Sequence, residues 1–330
     1  MSGIFIAGTG MYVPPSIYTN DDMSKLVETS NEWIKDRTGI KQRRFSTGEP
    51  NFYMGAIAAK QAIEDAGIDP LSIDMIIGST ITPDYCTPSL ACLVQSEINA
   101  DNAFCFDINA ACSGFIYALD AAHTYLSSGK VKTVLIVCSE NLSKIIDFTD
   151  RKTCVLFGDG AGAVVVTSGS GLFESYLKSE GKNAQALLCR ALINTSPFVT
   201  EADNEKYAKY KQTNGSYITM DGRETYRFST RALPEAIEAV CSKAGIGVDE
   251  LTLIIPHQAN LRIVKTSAEK LNIPLDKMFT NIDRYGNTSC ASIPICLDEL
   301  KKSGKLTRGD KIALAGFGGG LTYGGIVLEW

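Results

Sequence analysis

The chain has 330 residues, of which 45% are hydrophobic and 21% charged, with 37 acidic against 32 basic side chains and a formal net charge of -5. That length buries one large core or two smaller ones, and the composition excludes a disordered, collagen-like or coiled-coil chain. The acidic balance argues against nucleic acid as a partner, because phosphate recognition needs clustered Lys and Arg.

In chain order, the apolar run 3–8 lacks a preceding basic segment and leads into Pro14-Pro15, so it reads as a first strand and not as a secretory signal. Helical patterns follow at 20–28, at 30–37 with Ser30 as N-cap, and at 53–66. Short apolar runs predict strands at 73–80, 103–109, 133–139 and 154–167, with a helix at 112–128. This alternation is that of an α/β protein. Residues 178–215 are mostly polar around one short apolar run, with Lys206, Lys209 and Lys211 in one cluster, and read as a connection or cap. No apolar run approaches the ~20 residues that span a bilayer, so no membrane partner is expected.

After that segment the order restarts. Ala66-Gly67-Ile68 followed by Ile76-Ile77 matches Ala244-Gly245-Ile246 followed by Ile254-Ile255, an offset of 178. At the same offset Asn109 meets Asn287, Cys112 meets Cys290, and Leu119-Asp120 meets Leu297-Asp298. Phe157-Gly158-Asp159-Gly160 and Phe317-Gly318-Gly319-Gly320 repeat the order at a shorter offset. A duplicated α/β unit follows, with a first half at 1–170, a connecting segment at 171–216 and a second half at 217–330.

The ten cysteines are scattered, with no CxxC pair and no histidine cluster, so they read as free thiols of a reducing cytoplasm and not as metal ligands. Cys112, in Asn109-Ala110-Ala111-Cys112-Ser113-Gly114-Phe115, stands where a strand gives way to a helix, a position that favours thiolate. Of the two histidines, His123 falls inside a helical pattern, whereas His257 follows the predicted strand 251–255 and Pro256, at a strand end where α/β sheets bind ligands. Asn287 precedes a helical pattern beginning near Ala291; its amide could donate to an oxyanion, although local sequence alone favours a turn or N-cap residue. Gly318-Gly319-Gly320 follows a strand at 311–316 and permits close backbone approach to a ligand. Gly158-Asp159-Gly160-Ala161-Gly162 precedes a strand-like run and not a helix, so it fails as a dinucleotide fingerprint.

Taken together, residues 109–115, Pro256-His257-Gln258-Ala259-Asn260-Leu261-Arg262, Gly286-Asn287-Thr288-Ser289 and Gly316-Phe317-Gly318-Gly319-Gly320 resemble the β-ketoacyl-acyl-carrier-protein synthase III family of thiolase-fold condensing enzymes. Thr29-Ser30-Asn31-Glu32-Trp33-Ile34, Arg37-Thr38-Gly39-Ile40, and Thr149-Asp150-Arg151 with the following 157–162 extend the resemblance over nearly the whole chain. It implies a thiolase-like fold of two duplicated halves in a five-layered αβαβα sandwich, and a homodimer. It implies Cys112 as acyl-accepting nucleophile, His257 and Asn287 as its partners, and the Cys112 and Gly319 N–H groups as oxyanion hole. The implied reaction joins an acyl-CoA primer to malonyl-acyl carrier protein with loss of carbon dioxide, and it needs neither metal nor cofactor.

The resemblance further implies that Trp33 and Arg151 flank the CoA adenine, that Arg37 reaches the CoA phosphates, and that Thr29 and Asn260 line the entrance, with Phe317 in the substrate site. Arg262, Lys265 and Arg227 would form a basic patch for an acidic carrier protein. Thr87, before Pro88, would face the far end of the acyl pocket across the dimer interface, where several members carry Phe; its smaller volume predicts longer or branched primers. A biosynthetic thiolase is set aside because 317–323 lacks a second cysteine, and a non-catalytic partner subunit because Cys112, His257 and Asn287 are all present. A relative working in secondary metabolism remains the alternative.

Overall fold

Two sheets stacked around a shared helical layer dominate the computed structural model, which describes residues 3–189, 197, 201, 205 and 217–330. The first sheet comprises β1 (Gly3–Tyr12), β2 (Met75–Ser79), β3 (Phe104–Ile108), β4 (Thr133–Glu140) and β5 (Gly160–Gly169) in the order β3-β2-β4-β5-β1. The second comprises β6 (Phe173–Ser179), β7 (Leu253–Pro256), β8 (Lys311–Gly318) and β9 (Thr322–Glu329) in the order β7-β8-β9-β6. Reading each sheet from its parallel side, β2·β4 matches β7·β8, and two antiparallel pairs follow in both. Where the second sheet would carry a counterpart of β3, Met278 makes a single parallel bridge to Ile254. The two halves thus share one strand order.

The helices are α1 (Asn31–Thr38), α2 (Asn51–Ala66), α3 (Leu90–Ile98), α4 (Gly114–Ser127), α5 (Gly222–Ala244), α6 (Leu261–Lys270) and α7 (Ser292–Lys302). Helices α4 and α7 fill the central layer: Phe115, Ile116 and Leu119 from one, and Ile293, Ile295 and Leu297 from the other, join one core with Ile136 and Val164 of the first sheet and Leu314 and Ile326 of the second. Helices α2 and α3 cover the outer face of the first sheet, and α5 and α6 that of the second. The result is the five-layered αβαβα sandwich. Strands covered on both faces read as continuous apolar runs, as Val134 to Val137 and Val164 to Val166 do. The helices α2 and α5 end on equivalent left-handed glycines, Gly67 at φ 64° and Gly245 at φ 69°, which is why Ala-Gly-Ile recurs.

Three expectations are corrected. The strand predicted at 154–167 begins only at Gly160, because Asp150 caps a short helix, Arg151–Cys154, through Lys152 N–H at 2.9 Å. The helix predicted at 20–28 stops at Ser24 after a capping box between Thr19 and Asp22. The connecting segment 171–216 opens with β6, which pairs antiparallel with β9 and belongs to the second sheet. The Lys206, Lys209 and Lys211 cluster lies outside the described residues.

Candidate active site

Between β3 and α4 the chain makes a single 3-10 turn, Ala111–Ser113, that presents Cys112. Ala111 sits at φ 46°, a left-handed conformation that costs a non-glycine residue about 1–2 kcal/mol. The second half holds it there. Thr322 Oγ1 donates to Ala110 O at 3.0 Å, Ser113 Oγ donates to Thr322 O at 3.0 Å, and a Cβ on Gly318 would stand 2.6 Å from the Cys112 nitrogen. Cys112 is 8% exposed. Burial pushes its thiol up to about 12, the Glu140 charge adds to this, and the Ser289 hydroxyl opposes it. The thiolate expected from the helix start is therefore outweighed by desolvation, and the resting group is the thiol.

His257 lies one residue beyond β7, fixed by its N–H donating to Ala315 O at 2.8 Å. Its Nδ1 is 2.8 Å from Ser292 Oγ, and the same oxygen accepts the Gln258 N–H at 3.3 Å. With Nδ1 tied to Ser292, Nε2 is the free ring nitrogen, and it carries the imidazole hydrogen in the tautomer in which the Ser292 hydroxyl donates to Nδ1. Phe317 packs against the ring at 5.2 Å between centroids. Burial drops the imidazole to about 3, so His257 is a neutral donor.

Asn287 follows Gly286, whose φ is 68°. Its backbone N–H donates to Leu156 O at 2.9 Å and its carbonyl accepts from Gly158 N–H at 3.0 Å, so the loop before β5 clamps it from both sides. The side-chain Oδ1 accepts the Ser289 N–H at 2.8 Å, which fixes the amide orientation and leaves Nδ2–H₂ as the free donor. Cys112, His257, Asn287, Phe317 and Gly319 line one cavity of ≈ 620 Å³ with an apolar wall that includes Leu142, Leu188, Ile218 and Phe228. A nucleophilic sulfur and two neutral donors thus face the same space.

The remaining expected residues fall into three places. Asn260, on the cavity wall, caps α6 through Arg262 N–H at 2.8 Å and donates to Arg37 O at 3.0 Å. Trp33, on α1, carries the Arg151 guanidinium 5.0 Å and the Arg37 guanidinium 5.7 Å from its ring centroid, and Thr29 nearby in sequence has a buried, unbonded Oγ1. Arg262 and Lys265 line a separate groove with Lys35 and Lys41, whereas exposed Arg227 is paired with Glu224 at 2.6 Å. Thr87 is exposed and outside this chain's cavity. Among the described residues no cluster of His, Cys, Asp and Glu could hold a metal ion. The sequence reading missed Ser292, which is bonded to His257 Nδ1, and Thr322, which holds the turn at Cys112.

The chain matches the family models described as 3-oxoacyl-[acyl-carrier-protein] synthase III over residues 106–181 and its C-terminal part over 241–330. It is 48% identical to the β-ketoacyl-[acyl-carrier-protein] synthase III of Clostridium acetobutylicum over 332 residues, covering 100% of this chain and 99% of the relative. It is similar to the crystal structure of 3-oxoacyl-[acyl-carrier-protein] synthase III from Aquifex aeolicus, with a TM-score of 0.91, 46% identity, and 99% and 100% of the two chains covered. The priming β-ketosynthase of the R1128 polyketide pathway matches with a TM-score of 0.88 at 34% identity, over 99% of this chain and 96% of that one.

Proposed function

The chain belongs to the 3-oxoacyl-[acyl-carrier-protein] synthase III family of acyltransferases, and from that premise we propose that Cys112, His257 and Asn287 carry its decarboxylative condensation of acyl-CoA with malonyl-acyl carrier protein. Cys112 Sγ attacks the acyl-CoA thioester, the Cys112 and Gly319 N–H groups receive the developing oxyanion, and CoA leaves as its thiol. The acyl group stays on sulfur, which splits one condensation into two easier steps. The malonyl thioester then binds with its carbonyl oxygen toward His257 Nε2–H and Asn287 Nδ2–H. Loss of carbon dioxide places negative charge on that oxygen, and two neutral donors fixed in advance stabilise it without having to reorganise. The carbanion attacks the acyl-Cys112 carbonyl and releases a 3-ketoacyl product.

The observation that carries this reading is that Cys112, His257 and Asn287 line one cavity, with Asn287 Oδ1 tied to the Ser289 N–H so that Nδ2–H₂ is free, and His257 Nδ1 tied to Ser292 so that Nε2 is the free ring nitrogen. A protein of this design acts in the cytoplasm with acyl-CoA and malonyl-acyl carrier protein as partners and requires no cofactor. The Trp33, Arg151 and Arg37 cluster suits an adenine ring and phosphates, and the groove with Arg262 and Lys265 suits an acidic carrier. A second copy fits against β3, an edge strand paired only with β2, where Phe104 is 48% exposed. The test is carbon dioxide release from malonyl-carrier protein by His257→Ala. Removal of one such donor lowers the rate about 100- to 1000-fold, with transfer of the acyl group to Cys112 largely kept. Near-normal release would remove the assignment.

A further inference from the structure

The two N–H groups assigned to the oxyanion sit on separate segments, Cys112 on the turn 111–113 and Gly319 in the hairpin between β8 and β9. Residues 318–320 are all glycine, so this stretch has no side chain with which to fix itself. The two segments meet backbone against backbone. A Cβ on Gly318 would stand 2.6 Å from Cys112 N, and one on Gly319 would stand 3.6 Å from Ala111 Cβ.

Thr322, the first residue of β9, bridges them. Its Oγ1 lies 3.0 Å from Ala110 O, two residues before Cys112, and 3.1 Å from the carbonyl oxygen of Gly319 itself. Ser113 Oγ is also 3.1 Å away, but its own hydrogen goes to Thr322 O at 3.0 Å. The one hydroxyl hydrogen of Thr322 therefore faces both carbonyls as a three-centre bond, and Ser113 closes the ring between turn and hairpin.

We propose that Thr322 is the positioning residue of the oxyanion hole: by tying Ala110 O to Gly319 O, its hydroxyl sets the spacing of the Cys112 and Gly319 N–H groups. The inference rests on the acyl-transfer reading of Cys112. As Sγ attacks the thioester, an electron pair of the carbonyl moves onto its oxygen, and that oxygen must meet both donors at once. Donors held in place beforehand need no reorganisation when the charge appears. Attack of the same sulfur on a saturated carbon develops no such oxygen, so it is indifferent to the spacing.

The test compares two reactions of Cys112, acylation by acetyl-CoA and alkylation by iodoacetamide, each followed by peptide mass spectrometry, in wild type, Thr322→Val and Thr322→Ser. Valine keeps the shape of threonine and removes the hydroxyl; serine keeps the hydroxyl. Thr322→Val should acylate about 10- to 100-fold more slowly, as displaced donors do, while its alkylation stays at the wild-type rate. Thr322→Ser should recover most of the acylation. Unchanged acylation in Thr322→Val, or an equal loss in both reactions, would overturn the proposal, the second because it would mean that Thr322 places the sulfur and not the oxyanion donors. If Thr322→Val does not fold, Thr322→Cys decides: a thiol is a weaker donor, so acylation should fall relative to alkylation, and an unchanged ratio overturns the proposal. Wild-type Cys112 that alkylates but takes no acyl group from any of acetyl-, butyryl-, isobutyryl- and octanoyl-CoA would reject the acyl-transfer reading and this inference with it, whereas a normal wild type beside an unaffected Thr322→Val rejects the role of Thr322 alone.

Discussion

Ser292 Oγ stands 2.8 Å from His257 Nδ1 and is held there by the Gln258 N–H. This contact occupies Nδ1, and a hydroxyl that donates to it leaves the imidazole hydrogen on Nε2, where the proposed chemistry needs a donor. Ser292→Ala removes the partner of Nδ1 and the preference for the Nε2–H form. A hydrogen bond of this kind contributes about 1 kcal/mol, roughly a fivefold change. Carbon dioxide release should fall by about that factor with acylation of Cys112 unaffected, measured by separate assays of the two half-reactions. Equal losses in both would show that Ser292 supports the site generally and not His257 in particular.

Because burial lowers the His257 imidazole from its ordinary value to about 3, His257 is already neutral at pH 5. Decarboxylation by a Cys112→Ala variant should therefore run without an inflection near pH 6.5. Stability carries the opposite side of the same shift: the unfolded chain takes up a proton near pH 6.5 that the folded chain refuses until about pH 3, so stability is lost as pH falls across that window. The midpoint of thermal unfolding should fall less between pH 7 and 4 in His257→Gln than in wild type. A rate inflection near pH 6.5 would mean that His257 titrates during turnover.

Gly318 lies where a side chain would press on the Cys112 turn, with a Cβ 2.6 Å from Cys112 N and 3.1 Å from Cys112 Cβ. Backbone cannot yield cheaply there, and overpacking of this kind costs about 1–3 kcal/mol. Gly318→Ala should lose most acylation of Cys112 while keeping measurable carbon dioxide release, since Asn287 is held by the loop before β5 and His257 is tied to β8 three residues away, at Ala315. Intact acylation would mean that the turn is not held by β8.

Thr87 is exposed in the single chain, as a residue must be if it completes a neighbouring copy's pocket. Thr87→Phe should narrow primer choice toward acetyl-CoA. Such pockets discriminate roughly 10- to 200-fold per methylene, and the comparison of acetyl-, butyryl-, isobutyryl- and octanoyl-CoA reads the effect. An unchanged ratio of octanoyl to acetyl use would free position 87 of any part in chain length.

The site was legible where chemistry coincides with a local boundary. Cys112 and His257 each stand where an apolar strand run ends, and the recurrence of Asn109 and Cys112 as Asn287 and Cys290 follows from one turn used twice, with Ala111 at φ 46° and Ser289 at φ 51°. What could not be read is what holds these groups. Thr322 acts on Ala110 from 212 positions away, and Ser292 on His257 from 35, so no local pattern marks either. The Val155 to Asp159 segment looked like strand because it is apolar, but its backbone bonds go partly to Asn287. The acidity of Cys112 was misjudged because helix position is visible in sequence and desolvation is not.

The measurement that bears most directly on the assigned chemistry is peptide mapping by mass spectrometry after incubation with a panel of acyl-CoAs. The acyl mass should appear on Cys112 alone, with Cys290, its buried counterpart at 1% exposure, left free, and it should vanish in Cys112→Ala. Acylation of Cys290, or an acyl group that persists in Cys112→Ala, would contradict the account.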